Sequence, residues 1–496
     1  MRELFDRRFD LLVLGGGITG CGVARDAAMR GLSVALVERD DFASGTSGRS
    51  SRLVHGGIRY LEQGRLHLVY ESIRERQTLL RIAPHLVTPL AFTWPIYRGA
   101  RVGRSKLAAG LLLYQLMARG RSHRPSFLGV RKTLERESAL QPAALTGSAV
   151  YYDAATDDSR LTLATAMSAM DSGAALANHA RALRFLREHG RAIGAEVMSP
   201  LSGERGEVRA RVIVNATGVW QNAADAIEHG TRLRGSKGVH IAVPRDRVGN
   251  RDAITMISFV DGRVMFCLPA SAHTIIGTTD TWTDESPENV HAAPADVDYL
   301  LRSANSYFPS ARLTRGDVVS AWAGIRPLIA SSSNDPTSAS REHSIAKDES
   351  GVISVTGGKL TTYRSMAAEV VDRVQEALGQ RPRSAPTDEV VLAGGDRARE
   401  VARIARQSPQ LAHSLSDSLS YTGADLVYAV SHEMAKTLSD LLIRRTHVAF
   451  ETRDHGQSVA PRAADIVAPL LGWDEATKRA RISEYNADVE RIFAIS

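Results

Sequence analysis

Asp10-Leu11-Leu12-Val13-Leu14-Gly15-Gly16-Gly17-Ile18-Thr19-Gly20 opens the first strand, turn and helix of the chain, and Ser33-Val34-Ala35-Leu36-Val37-Glu38 closes the unit. An apolar strand runs into glycines, a helical stretch continues to Gly31, and a second strand ends on an acid. This is G-x-G-x-x-G in its full setting, with the acid at the expected distance. Gly15 allows the tight turn, Gly17 lets a pyrophosphate approach the backbone, and Gly20 lets helix and strand pack closely. The helix N-terminus presents N–H groups to phosphate, and Glu38 is placed to accept hydrogen bonds from a ribose diol. A Gly-rich turn in an ordinary α/β fold would not require Glu38, so the unit reads as a dinucleotide site.

The rest of the composition suits a large soluble enzyme. A chain of 496 residues can form two or three domains with substantial cores. Its apolar fraction of 43% and charged fraction of 24% are ordinary. Cys21 and Cys267 are the only cysteines, far apart, which suggests a reducing, intracellular setting with no disulfide framework. No His/Cys/Asp cluster has metal-ligand spacing, so no metal is expected. The charged N-terminus leads almost directly into the first strand, so no signal peptide is expected. No apolar run approaches the length of a membrane span.

The net charge of +7 admits an anionic partner. Arg98 to Lys132 holds nine Lys or Arg and no Asp or Glu, with the apolar block Leu107–Met117 inside it. Flanked by Arg104, Lys106, Arg119, Arg121 and Arg124, that block reads equally well as an interfacial membrane helix or as a core helix with solvated ends. Nucleic acid is disfavoured, because no aromatic-plus-basic pattern or binding motif is present.

Several features favour FAD over a nicotinamide. Val212-Ile213-Val214-Asn215-Ala216-Thr217-Gly218 is an apolar strand ending in a small-residue turn that lets backbone pass close to a cofactor. Ser354-Val355-Thr356-Gly357-Gly358-Lys359-Leu360-Thr361-Thr362 is a second strand, Gly-Gly turn and helix start, able to face a flavin O2 or ribityl-phosphate. Between Glu38 and the next helix, Ser44-Gly45-Thr46-Ser47-Gly48-Arg49-Ser50-Ser51-Arg52 is dense in small hydroxyl donors.

Taken in order, these segments carry a resemblance. With Ser50–Leu61 (containing Val54-His55-Gly56-Gly57-Ile58-Arg59-Tyr60), Ala83-Pro84-His85-Leu86, Ile276-Gly277-Thr278-Thr279-Asp280, Gly324-Ile325-Arg326-Pro327-Leu328 and Gly357–Arg364, the chain resembles the FAD-dependent, aerobic-type, quinone-linked glycerol-3-phosphate dehydrogenase family over nearly its whole length. The resemblance is weakest after about residue 385, and many relatives have Lys where Arg52 stands. It implies an α/β chain: a glutathione-reductase-like FAD domain, an antiparallel-sheet substrate cap and a C-terminal helical domain. The expected limits are 1–85, 150–235 and 321–380 for the FAD domain, 86–149 and 236–320 for the cap, and 386–496 for the helical domain. An exposed loop is expected at 331–340.

The activity implied is oxidation of sn-glycerol 3-phosphate to dihydroxyacetone phosphate by hydride transfer to flavin N5, with electrons passed to a membrane quinone. The alternatives are an oxidase that uses oxygen and a related flavin-dependent amine oxidase. A dianionic phosphate calls for charge-assisted donors, and the matched motifs point to Arg59, Arg326 and Lys359, with Tyr60 adding a hydroxyl. His55 is the expected general base, because its side chain titrates nearest neutral pH, and Arg326 can also steady the developing alkoxide. Thr279 and Asp280 are read as substrate-binding or cap-ordering residues. The cofactor set is Gly15, Gly17, Gly20, Glu38, Thr46, Ser47, Ser51, Ala216, Gly218, Gly357, Gly358, Lys359, Leu360 and Thr361. The implied location is cytoplasmic, peripherally on the cytoplasmic membrane. The C-terminal helices leave a homodimer, a partner contact or a membrane contact open.

Overall fold

The structure is a computed structural model. It describes residues 2–62, 64–118, 123–222, 233–329 and 342–496, with backbone only at residues 59, 222, 233 and 329. The loop expected at 331–340 lies outside the described residues.

The strand Arg8–Leu14 is central to a parallel sheet, because its residues are apolar on both sides. Leu11 and Val13 pack into one core with the helices Ile18–Met29, Asp158–Asp171 and Tyr363–Ala377. Leu12 and Leu14 pack into another with Leu4, Phe185 and Val197. A strand buried on both faces reads as a continuous apolar run, and each such side chain contributes about 1.5–3 kcal/mol on burial. Parallel neighbours flank it: Val34–Val37 pairs Leu11 with Val34, and Arg205–Asn215 pairs Leu11 with Val212. Ala175–Ala177 and Ile353–Gly357 extend the sheet in parallel on either side, and His343–Lys347 closes one edge antiparallel.

A second, mostly antiparallel sheet contains Val87–Tyr97, Leu145–Thr156, Leu233–Pro244, Ala253–Ile257, Val264–Ala270 and His273–Gly277. Ser320–Ile329 pairs with Leu233–Pro244 along its length, so within the stretch 321–380 expected for the FAD domain this strand hydrogen-bonds in the second sheet. The reason is its alternation: Ala321, Ala323 and Ile325 fill the core beneath that sheet. Leu145–Thr156 likewise hydrogen-bonds in the second sheet beyond residue 149.

The C-terminal part is helical, with Arg397–Gln407, Gly423–His432, Ala460–Leu471 and Glu475–Phe493 as its longer helices. Its apolar faces share a core with the second sheet through Trp322, Phe450 and Phe493. Buried ion pairs fix it to the parallel-sheet part. Asp41 takes Arg444 and Arg445, both at 2.7 Å. His179 meets Asp440 at 2.9 Å, and Arg160 meets Glu433 at 2.5 Å. Asp41, His179 and Asp440 lie close enough to suggest a metal cluster. Two guanidinium groups already engage the two carboxylates, so the arrangement is an ion-pair clasp.

Candidate functional site

The two sheets face one another across a cavity of about 410 Å³. Its floor is the first turn. Gly15 sits at φ +105°, and a Cβ there would lie 2.7 Å from the Ala216 carbonyl oxygen. A Cβ on Gly20 would come within 1.9 Å of the Gly15 carbonyl oxygen. Gly20 is therefore a packing residue, which explains why it is absent from the cavity wall that the other expected cofactor residues line. A Cβ on Gly17 would project toward the cavity and meet only Ser47 Oγ, at 3.2 Å. Ser47 Oγ in turn accepts the Ile18 N–H at 3.0 Å, tying the hydroxyl-rich loop to the helix start.

Glu38 is buried against the same turn. One carboxylate oxygen accepts the Gly16 N–H at 2.6 Å and the other accepts the Asp40 N–H at 2.9 Å. Burial, and then the charge of Asp40, push its carboxyl up to about 7 despite those bonds. Beside it, the Arg39 guanidinium lies 4.6 Å over the Trp220 ring and pairs with Glu288 at 2.7 Å. Trp220 packs so closely on Gly45 that a Cβ there would be 2.6 Å from the indole. These groups close the Glu38 end of the cavity.

Thr46, Ser47, Ser51, Ala216, Gly218, Gly357, Gly358, Lys359, Leu360 and Thr361 line the middle and far end. Gly357 and Gly358, at φ +74° and +83°, turn the chain from the last parallel strand into the helix start. Arg49, not foreseen from the sequence, also lines the wall. Its side chain makes one hydrogen bond among the described residues, a long one of 3.4 Å to the Ala323 carbonyl. Burial, with Arg491 and Arg444 nearby, pulls its guanidinium down to about 10.

The far end gathers the residues expected to meet substrate. The His55 N–H donates to Thr361 Oγ1 at 3.3 Å, so the His55-Gly56-Gly57 turn is held against Leu360–Thr362. Asp153 Oδ1 accepts the Gly56 N–H at 3.1 Å and the Tyr114 hydroxyl at 2.6 Å, and it is paired with Arg76. No side chain larger than hydrogen fits at Gly56, where a Cβ would be 2.1 Å from Tyr114 Oη. His55, Tyr60, Lys359 and Arg326 all line the cavity. Lys359 Nζ sits 4.0 Å over the Tyr60 ring. The Arg59 side chain lies outside the described residues.

Arg326 is held from behind. Its Nη1 is 3.2 Å from Asp280 Oδ1, and its Nη2 donates to Thr278 Oγ1 at 3.2 Å. Asp280 is buried and also accepts the Ser236 hydroxyl. Thr279 is buried, with its Oγ1 accepting the Val239 N–H at 2.9 Å. Neither Thr279 nor Asp280 lines the cavity, whereas Thr278 does. Residues 278–280 link the strands His273–Gly277 and Thr281–Thr283, and there the structure puts Thr279 and Asp280 behind Arg326 as supports, the ordering role of the two roles expected for them.

His240 is the second residue not foreseen. It occupies the cavity wall on the strand Leu233–Pro244, stacked on Trp322 with ring centroids 5.5 Å apart. Alternation along that strand shows only that His240 shares a face with Gly238 and Ala242, which gives no chemical signal. Nearby, Arg52 Nη2 reaches His447 Nδ1 at 3.2 Å, and His447 Nε2 reaches Asp157 at 2.6 Å. Burial would raise the Asp157 carboxyl, but His447 holds it well below the usual carboxylate range. This chain fastens the loop before the cavity to the C-terminal helices.

The residues fit a dinucleotide bearing a flavin. A glycine cradle that any Cβ would fill, a buried acid at one end and a cationic cluster at the other are joined by one continuous wall.

Outside the cavity, the helix Arg104–Met117 buries Leu107, Leu111 and Tyr114 and turns Leu112, Leu113 and Leu116 outward, at 62%, 37% and 66% exposed. The helix thus has a core face and an exposed apolar face. Arg119 and Arg121 lie outside the described residues. Among the described residues, no helix is long and apolar enough to cross a membrane.

Comparison with known proteins adds an independent line. Residues 10–373 match the FAD dependent oxidoreductase family, and residues 359–478 match the C-terminal domain of alpha-glycerophosphate oxidase. The chain is 37% identical to glycerol-3-phosphate dehydrogenase 2 of Mycobacterium tuberculosis, over 99% of this chain and 89% of that protein. It is 32% identical to the aerobic glycerol-3-phosphate dehydrogenase of Staphylococcus saprophyticus, over 99% and 96%. The X-ray structure of the Bacillus halodurans glycerol-3-phosphate dehydrogenase complexed with FAD superposes with a TM-score of 0.80 at 30% identity, covering 99% of this chain and 96% of that one.

Proposed function

The chain belongs to the FAD-dependent glycerol-3-phosphate dehydrogenase family, and from that premise we propose that it oxidises sn-glycerol 3-phosphate to dihydroxyacetone phosphate and passes the electrons to a membrane quinone. It is an FAD-dependent oxidoreductase. The observation that carries the substrate assignment is the convergence in one cavity of the dinucleotide cradle with Lys359, Arg326, Tyr60 and His55. Bound FAD supplies the hydride acceptor, N5, for the carbinol C–H.

The protein's share of the work is positioning and charge. Lys359 and Arg326, with Arg59, the neighbour of Tyr60 in sequence, bind the phosphate dianion through charge-assisted hydrogen bonds worth about 1.5–3 kcal/mol each. Asp280 and Thr278 aim Arg326, so its guanidinium meets substrate without a search among rotamers. Tyr60 buries its ring under Lys359 and fixes where the ammonium can reach. His55 accepts the hydroxyl proton as the C–H bond breaks. Its backbone is clamped to Thr361, on the turn that also carries Lys359, so base and phosphate site move together.

Two features support a quinone as acceptor at a membrane face. The exposed leucines of Arg104–Met117 offer an apolar strip, and the basic residues around it would favour anionic lipid. Oxygen is a second reading, because residues 359–478 match the C-terminal domain of alpha-glycerophosphate oxidase. Stopped-flow reoxidation of the reduced enzyme separates them. Rapid reoxidation by a quinone analogue with slow, peroxide-poor reaction in air supports the first reading. Equally fast reoxidation in air with stoichiometric peroxide establishes the second.

A further inference from the structure

His240 is 2% exposed, and its ring is wedged between Trp322 and Gly277, where a Cβ would lie 2.2 Å from the imidazole Cδ2. Nε2 is 2.8 Å from Ser51 Oγ. Nδ1 is buried and has no hydrogen-bond partner among the described residues. Burial, then the positive charges of Arg326 and Arg52, press the imidazole down to about 3. It is neutral at physiological pH and carries one N–H.

Where that N–H sits follows from the cost of the orphan. If the Ser51 hydroxyl donated to Nε2, the proton would be on Nδ1, and a buried N–H would go unbonded. If Nε2–H donates to Ser51 Oγ, only a lone pair on Nδ1 goes unmatched. A stranded donor loses its full hydration, so the second tautomer is favoured. Ser51 then accepts from His240 and keeps its own hydroxyl hydrogen. Ser51 lines the cavity, and no second partner for its hydroxyl occurs among the described residues.

We infer that Ser51 and His240 act as one preset donor, in which the buried imidazole orients the Ser51 hydroxyl toward a carbonyl oxygen of the bound flavin ring. Reduction places negative charge on that edge of the ring, so a donor held there stabilises the reduced form more than the oxidised one. His240 is thus a positioning residue that acts through Ser51, and the pair raises the flavin's reduction potential. The inference rests on the cavity holding FAD and is independent of the substrate.

The test is equilibration of holoenzyme with a reference redox dye, without any substrate, so failure of the substrate assignment leaves it unaffected. Ser51→Ala and His240→Leu should each shift the bound flavin about tenfold toward the oxidised form at fixed dye potential, about 30 mV for a two-electron couple. His240→Gln, whose amide N–H reaches the Nε2 position, should stay near the wild type. The double variant Ser51→Ala/His240→Leu should shift no further than Ser51→Ala alone. A wild-type potential in Ser51→Ala, or a further shift on adding His240→Leu, would overturn the inference. If His240→Leu fails to hold flavin, Ser51→Ala and His240→Gln decide it.

Discussion

Truncating Lys359 to Ala tests the phosphate site with the least collateral damage. Arg326 is a poor choice, because its loss leaves Asp280, 4% exposed, without its guanidinium. Breaking that buried ion pair costs stability in its own right. Lys359 is half-buried, over the Tyr60 ring and 3.5 Å from Ser72 Oγ. Its removal takes away one ammonium donor to phosphate, about 1.5–3 kcal/mol. At about 1.4 kcal/mol per decade, KM for glycerol 3-phosphate should rise about 10- to 140-fold. The lost contact with Tyr60 affects stability and is the same for every substrate. Glycerol itself, which has no phosphate, is the internal control and should be oxidised as poorly by the variant as by the wild type. The assay is initial rate against concentration for both substrates, with flavin content checked by absorbance. An unchanged KM for glycerol 3-phosphate, or equal losses for both substrates, would refute the assignment.

Other outcomes follow from the same geometry. His55→Asn should slow flavin reduction by about 10²- to 10⁴-fold with full flavin content; an unchanged rate in single-turnover mixing rejects His55 as the base. His240 is held near 3 when folded against 6.5 when unfolded, so the unfolded chain takes up the proton first as pH falls. The stability it contributes is therefore complete above pH 6.5 and is lost on the way down to pH 3, about 5 kcal/mol in all. Urea midpoints should fall less steeply with acid in His240→Gln than in the wild type, and parallel slopes would contradict this. Replacing Leu112 and Leu116 by Ser should weaken binding to anionic vesicles at least tenfold, since each leucine withdrawn from an interface forfeits up to about 1.5–3 kcal/mol; equal sedimentation of both proteins with vesicles would remove this helix from membrane contact.

The first turn was legible because its pattern is contiguous in sequence: Gly20 packs on Gly15, and the apolar run of Leu11–Leu14 announces a strand buried on both faces, although Gly15 and Gly17 meet Ala216 and Ser47 from other segments. Glu38 was legible for the same reason. The far end of the cavity depends on contacts between distant segments, and there the motifs supplied what periodicity could not. His55 and Lys359 are brought together by a bond between His55 and Thr361, some three hundred positions apart. Thr279 and Asp280 show the limit of a motif: it marks the segment, but the course of the chain between the strands His273–Gly277 and Thr281–Thr283 decides which residue faces the cavity. Ser320–Ile329 went to the second sheet because its side-chain alternation matches the core under Leu233–Pro244, a partner that sequence order does not reveal. His240, Arg49 and the clasp of Asp41 with Arg444 and Arg445 left no local trace, because each depends on burial beside residues from another part of the chain.

The central claim is that this cavity takes the hydride of sn-glycerol 3-phosphate. The direct measurement is anaerobic mixing of the purified flavoprotein with that compound while the flavin absorbance is followed. Rapid, saturable bleaching by sn-glycerol 3-phosphate, and none by glycerol at the same concentration, is the predicted result. A flavin that stays oxidised with sn-glycerol 3-phosphate, or that bleaches instead with an amine or amino acid, would contradict the account.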